Sequence, residues 1–199
     1  MARLGLRTSL ALALLVACAS GAQEPPIANP GLERWCDKHP CGWEVEGEFK
    51  QVGTWHPNDY AVELLGDDAV ASQLRAELDS KQANCFEFSL MAKVSAKAHA
   101  YLELDFLDDG VIEFSERIPE SDWEVRKFTI HAPDWFEGVR FRLRKQGEGQ
   151  VVLAELNIEV KPYGPCAATP LELSERPSGA PCGRDELCSS GRCNGGTCD

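Results

Sequence analysis

The 199-residue chain lacks the short motifs that mark the common enzyme classes. It has no GxSxG elbow, no HExxH pair and no glycine-rich phosphate loop, which leaves no signal for serine hydrolases of that type, zincins or P-loop nucleotide enzymes. Its four histidines, His39, His56, His99 and His131, are scattered singly, so none is paired by spacing with a nucleophile or a second ligand. Asp67-Asp68 and Asp108-Asp109 sit in apparent turns, where aspartate is favoured for backbone reasons. A glycosidase needs two carboxylates held across a cleft, and adjacency in sequence does not supply that. Catalysis is therefore not expected. Positive charge is scarce as well: 20 basic residues stand against 32 acidic ones, a net charge of −12, and the basic residues cluster only from Arg140 to Lys145. Phosphate backbones would repel such a chain, so nucleic acid is excluded as a partner.

What is present begins with an export leader. Arg3 and Arg7 make a positive start, Leu10 to Ala17 is an apolar run too short to span a bilayer, and no acid precedes Glu24. Leu15-Val16-Ala17-Cys18 resembles the bacterial lipobox, so residues 1–17 are expected to be a lipoprotein signal peptide and Cys18 the lipidated first residue. Acylation would hold the protein at a membrane by its lipid alone. The expected location is the cell envelope, at the outer membrane; the competing cleavage after Ser20-Gly21-Ala22 would make the protein secreted. Loss of residues 1–17 removes two arginines and no acid, so the charge moves from −12 to −14. Residues 18–28 are small, polar and proline-rich, as a spacer should be.

Setting Cys18 aside leaves eight cysteines, an even number that in an exported chain argues for disulfides. Four residues separate Cys36 from Cys41, and a local clip there is worth about 2 kcal/mol. Cys182, Cys188, Cys193 and Cys198 lie in a segment too short for a hydrophobic core, so bridges must hold it. Spacing leaves the connectivity open; the interleaved pairing, Cys182 with Cys193 and Cys188 with Cys198, is favoured. Zinc is the competing occupant of this end, but paired CxxC spacing is missing. Cys85 and Cys166 remain, and they would meet if the Cys85 strand runs antiparallel to the strand ending at Val160.

Period-two alternation marks the strands. Trp43, Val45, Gly47 and Phe49 share one face, as do Tyr60, Val62 and Leu64, then Phe86, Phe88, Leu90, Ala92 and Val94, then Ala100, Leu102, Leu104 and Phe106. Val70, Ser72 and Leu74 alternate too, although Ala69 to Leu78 also has helix-forming composition. Asp109-Gly110 is a turn signal leading to Ile112 and Phe114. Trp123, Val125, Phe128 and Ile130 form a strand whose alternation slips, which suggests a bulge. Val139, Phe141 and Leu143 alternate with Arg140, Arg142 and Arg144; after Gly147-Glu148-Gly149, a second arm puts Val152, Ala154, Leu156, Ile158 and Val160 on one face. This reads as a hairpin whose polar face sets the arginines against Glu155 and Glu159, with Glu103 and Asp105 as further partners.

Many short strands at regular spacing, with no convincing long helix, predict an all-β protein: an antiparallel jelly-roll β-sandwich with a small disulfide-rich C-terminal segment. The sandwich is expected over residues 29–161, a proline-rich linker over 162–181 and the cysteine-rich tail over 182–199.

The residues also carry a family likeness. Asn29-Pro30-Gly31-Leu32-Glu33, Gly42-Trp43, Tyr60 to Leu64, Phe86 to Lys93, Trp123 and Leu153 to Ile158 resemble the successive signposts of galactose-binding-like jelly-roll domains. Among these the chain is most similar to carbohydrate-binding modules that accompany bacterial glycoside hydrolases. The tail resembles short cysteine-rich tails of secreted myxobacterial proteins and, more loosely, knottin-like or epidermal-growth-factor-like pieces. In the family, an acid near the opening signature and an aspartate in the final strand help to hold a structural calcium. Glu33 matches the first, but Leu153-Ala154-Glu155-Leu156 has alanine at the first acidic position of the second, so one expected ligand is missing. No other cofactor is implied.

Sugar recognition needs aromatic faces that stack on apolar CH faces, with polar side chains for the hydroxyls. Trp55 and Trp135 lie in loops, Tyr101 on a polar strand face, and the resemblance would place Arg140, Arg142 and Arg144 on a common side. These six residues are the candidate ligand-binding set. The competing interpretation of the arginines is a ladder of ion pairs. The expected function is a non-catalytic surface lipoprotein that binds carbohydrate or another envelope component; the alternative is a structural or adhesive protein that meets a protein partner through the sandwich or the tail.

Overall fold

The computed structural model describes residues 27–56, 59–75, 84–136, 138–161, 165–173, 175–182 and 185–199. The leader, Cys18 and most of the spacer lie outside the described residues. Strands β1 (Trp35–Cys36) and β2 (His39–Pro40) form a clip closed by the Cys36–Cys41 disulfide. Eight strands follow: β3 (Glu44–Gly53), β4 (Tyr60–Arg75), β5 (Cys85–Val94), β6 (His99–Asp105), β7 (Phe114–Ile118), β8 (Ser121–His131), β9 (Val139–Gln146) and β10 (Val151–Lys161). All their pairings are antiparallel.

The 16-residue β4 joins two layers. Its first part, up to Leu64, pairs with β10, and its second part, from Asp68 onward, pairs with β9. Strand β3 follows β4 through both parts, with a bulge between Glu46 and Glu48. The layers are therefore β7-β6-β9-β4-β3 and β8-β5-β10-β4-β3, sharing a bent corner. Glycine is needed at that corner. Gly47 has φ of 93°, and a Cβ there would lie 3.2 Å from that of Ala69. Lys145 turns inward here, 2% exposed, and its ammonium donates to the carbonyl of Gly66 at the bend of β4. The Ala69 to Leu78 stretch is thus strand as far as Arg75, and the rest of it lies outside the described residues.

The core fills the space between the layers with the faces that alternation marks. Phe88 of β5 meets Phe141 of β9 at 5.5 Å between ring centroids, and Phe86 meets the same ring edge-on at 6.1 Å. Such pairs add about 1 kcal/mol each beyond their buried area.

The stretch from Val139 to Val160 is not a hairpin. Strand β9 pairs with β4 and β6, and β10 pairs with β4 and β5, so the Gly147 to Gln150 connection arches from one layer to the other. Both arms bury an alternating face, and this pattern is the same whether the next strand lies alongside or across the core. The arms also differ in phase. A bulge at Glu155, with φ of 51°, turns Val151, Leu153, Leu156 and Ile158 inward and leaves Val152 and Ala154 on the outer face of the sheet, where Met91 and Trp123 cover them.

The described part of the segment expected as a linker is a strap laid on the sandwich. Cys166 is bridged to Cys85, Leu171 N donates to His131 O at 3.1 Å, and Leu171 and Leu173 pack against the core. Arg176, 1% exposed, donates to Asp109 and Glu113 at 2.8 Å each. The tail contains a 3₁₀ turn (Asp185–Leu187) and the paired strands β11 (Cys193–Asn194) and β12 (Thr197–Cys198). Its disulfides, Cys182–Cys193 and Cys188–Cys198, interleave.

Candidate functional site

The sequence candidates fall in three separate places. The outer face of the β9 layer carries Tyr101 and the arginines, with Tyr101 opposite Arg144 and Glu103 opposite Arg142. Arg140 is held by Asp108, by Glu44 at 2.7 Å and by Ser72 at 3.3 Å. Arg144 reaches Asp68 at 3.0 Å and Glu103 at 3.6 Å, and Arg142 reaches Glu103 at 3.5 Å. Hydrogen bonding to Asp108 holds Arg140 more firmly protonated than a free arginine, and Asp68 does the same for Arg144. The partners are not Glu155 and Glu159. Those acids belong to β10, in the other layer, and the carboxylates that meet the guanidiniums come from β3, β4, β6 and the turn after β6. The charged row is thus internally neutralised.

The outer face of the β5 layer is chemically different. The register of β8 against β5 runs unbroken from Val125 to His131, and the bulge falls earlier, where Trp123 has φ of 55°. Phe128 and Ile130 consequently turn inward while Trp123 and Val125 turn outward. Trp123 and Met91 pack on a small apolar cluster of Ala61, Val152 and Ala154. The loop after β3 brings Trp55, 44% exposed, edge-on to Trp123 with centroids 5.0 Å apart.

A polar groove of about 350 Å³ lies on the same face, lined by Glu87, Ser89, Lys127, Thr129, Asn157 and Glu159. The Met91–Val125 pair of the aromatic patch is followed along the ladder by Ser89–Lys127 of the groove, so patch and groove are contiguous. Lys161 pairs with Glu87 at 2.5 Å, which favours its charged form. An exposed indole beside amide, hydroxyl, carboxylate and ammonium groups can stack its face on a ring while those groups bond the ring's hydroxyls in both directions.

Trp135 stands elsewhere. It is half-buried in the loop before β9, in a pocket closed by the strap and the tail.

The calcium implied by the resemblance does not fit these residues. Glu33 is exposed, and Asn29 spends its side-chain amide on the backbone of Arg34. Ala154 belongs to the apolar cluster. Among the described residues, the one group of three or more potential ligand atoms is that of Cys182, Cys188 and Cys198, whose sulfurs are spent in disulfides.

Of the residues on the β5-layer face, the sequence reading selected Trp55 alone as a binder. Trp123 was legible as a signpost of the fold and at the slip in alternation, and that slip marks two apolar side chains on the wet face of an edge strand. Ser89, Lys127 and Asn157 gave no signal, because polar residues on an outer strand face are ordinary.

No protein-family model matches the sequence. No curated protein matches it at a significant level either. Among solved structures, the enzymatically active domain of tailspike protein 4 from bacteriophage CBA120 superposes with a TM-score of 0.53 at 11% identity, over 69% of this chain. This chain spans only about a fifth of that protein, 21% of its length. TmCBM61, solved in complex with beta-1,4-galactotriose, superposes with a TM-score of 0.51 at 18% identity, over 69% of this chain and 99% of its own. At these identities the likeness is one of fold, and by fold the chain is a β-sandwich similar to that of a carbohydrate-binding module.

Proposed function

We propose that the protein is a non-catalytic, envelope-anchored carbohydrate-binding protein whose ligand lies on the outer face of the β5 layer. The observation that carries this reading is the Trp55–Trp123 pair, 5.0 Å between centroids, set beside the polar groove. The tryptophans supply the stacking surface, and Ser89, Asn157, Lys127 and the two glutamates supply hydroxyl partners. The fold likeness agrees with a binding role and does not choose the sugar. A neutral glycan is favoured over a uronate polymer, because the chain carries a net charge of −12 and the groove contains opposed Glu87 and Glu159. The lipobox-like Leu15 to Cys18 supports anchoring through Cys18, which would present the sandwich at the membrane surface.

The test is a neutral glycan array followed by calorimetry on the best ligand. Trp123→Ala should weaken binding by about 2 kcal/mol, roughly thirtyfold. Trp55→Ala should do the same, while Arg142→Ala should leave affinity unchanged. Retention of full affinity in both tryptophan variants would place the ligand elsewhere. Fatty-acid labelling should disappear in Cys18→Ser, and labelling that persists would remove the anchor from this reading.

A further inference from the structure

A second concave site lies where three parts of the chain meet, away from both outer faces. Pro133, Asp134 and Trp135 of the loop before β9 form one wall, residues 169–173 of the strap form the second, and Leu187 of the tail's 3₁₀ turn forms the third. The pocket measures about 630 Å³, within the range of ~300–1,000 Å³ typical of sites that bury a small ligand or several residues of a peptide. It is too large for one side chain to fill.

Its chemistry is one-sided. Trp135, two prolines, Leu171, Leu173 and Leu187 supply apolar surface, and among the described residues the charged ones in the lining are Asp134 and Glu172, both acidic. Both are exposed, and neither has an ion pair to a described basic residue. An apolar slot whose described lining carries two carboxylates and no cation fits a positively charged group on an apolar stem. Indole and carboxylate together suit an ammonium or guanidinium, through the ring face and through charge.

The walls are also held firmly enough for recognition. Cys85–Cys166 ties down the start of the strap, Arg176 pins its far end to Asp109 and Glu113, and Cys188–Cys198 locks the turn carrying Leu187. A pocket assembled from preset walls spends little ordering entropy on binding.

We infer that this pocket is a docking site for an extended segment of a partner protein, which inserts a lysine or arginine side chain between Trp135 and the carboxylates of Asp134 and Glu172. The site is independent of the glycan face. It also gives the cysteine-rich tail a role, because Leu187 closes a recognition pocket.

The experiment uses the full chain and a fluorescein-labelled peptide of sequence Ala-Pro-Lys-Leu-Pro-Ala, followed by anisotropy. Its controls are the same peptide with norleucine in place of lysine, and free lysine amide as competitor. Binding of the lysine peptide should weaken about tenfold for Trp135→Ala and about tenfold for the Asp134→Asn/Glu172→Gln pair, and should fall with added salt. Trp123→Ala, on the other face, should not change it. Both carboxylates are exposed, so the amide variants keep the fold, which circular dichroism will verify. Equal binding of the norleucine peptide would overturn the inference. So would absence of binding both to the lysine peptide and to the same peptide with arginine in place of lysine. Displacement by free lysine amide as effective as by unlabelled peptide would overturn the assignment to an extended segment.

Discussion

Trp55 and Trp123 lie in different parts of the chain, on the loop after β3 and on β8, yet their rings meet edge-on at 5.0 Å. Strands β3 and β8 are the two edges of the same layer, so the loop carrying Trp55 folds inward over the face rather than away from it. The small residues Ala61, Val152 and Ala154 make room for Trp123 on that surface. A large side chain at Ala154, such as Ala154→Phe, should displace Trp123 and abolish glycan binding at a cost of about 2 kcal/mol in stability, since Ala154 is buried beneath Trp123 in a small cluster separate from the main core. Calorimetry with a parallel urea titration separates the two effects.

The arginine ladder should behave as a structural element. Arg140→Ala removes contacts to Asp108 and Glu44, at a site whose own side chain is 18% exposed while Glu44 is 71% exposed. The expected loss is about 1 kcal/mol in urea denaturation, smaller in high salt, with glycan affinity unaltered. A large fall in glycan affinity would move the binding site to this face.

Glu113 gives the protein a pH signature. Burial disfavours its charged form and raises its pKa above the usual carboxylate value, against the opposing bonds from the Phe106 amide and Arg176. The fold therefore binds a proton here more tightly than the unfolded chain does. The contribution of this group is fully present below the unfolded pKa and is lost as pH rises through the folded one. Relative to Glu113→Gln, the native protein should be comparatively most stable in acid and should lose ground as pH rises through the carboxylate range. Denaturation of both proteins across that range checks it, and a gain for the native protein with rising pH would contradict the sign.

The Cys85–Cys166 bridge closes a loop with a sequence separation of 81 and ties the strap to the end of β5. Replacing both residues by alanine should cost about 4 kcal/mol, lowering Tm by roughly 10 °C. Calorimetric melting measures it. The two tail bridges should survive in that variant, because they are short-range and internal to the tail.

These features were unequally legible in the sequence. The inward faces of β5 and β6 follow directly from alternation, since a strand with one buried face writes its burial into every second residue. The placement of β9 and β10 in different layers did not, because alternation reports which way side chains point and not which strand lies alongside. Glu155 hid its bulge for a related reason: a glutamate at positive φ carries no local mark, unlike a glycine. Glu103 was legible as a partner of the arginines, but Glu44, Asp68 and Asp108 were missed, because only the bent corner and the β6 turn bring them near Arg140 and Arg144. For the site itself, Trp55 was visible as an aromatic in a loop. Trp123 was visible as a signpost of the fold and beside a break in pattern, and its place in the site depended on which face of the edge strand was wet.

The most direct measurement is a titration of a neutral oligosaccharide into the isotopically labelled full chain, followed by NMR. The binding face proposed above predicts shifts concentrated at the indoles of Trp55 and Trp123 and at the amides of Ser89, Lys127 and Asn157, with Arg140 to Arg144 and Trp135 unmoved. Shifts centred on the arginine ladder or on the Trp135 pocket, or none with any glycan that the array retains, would contradict it.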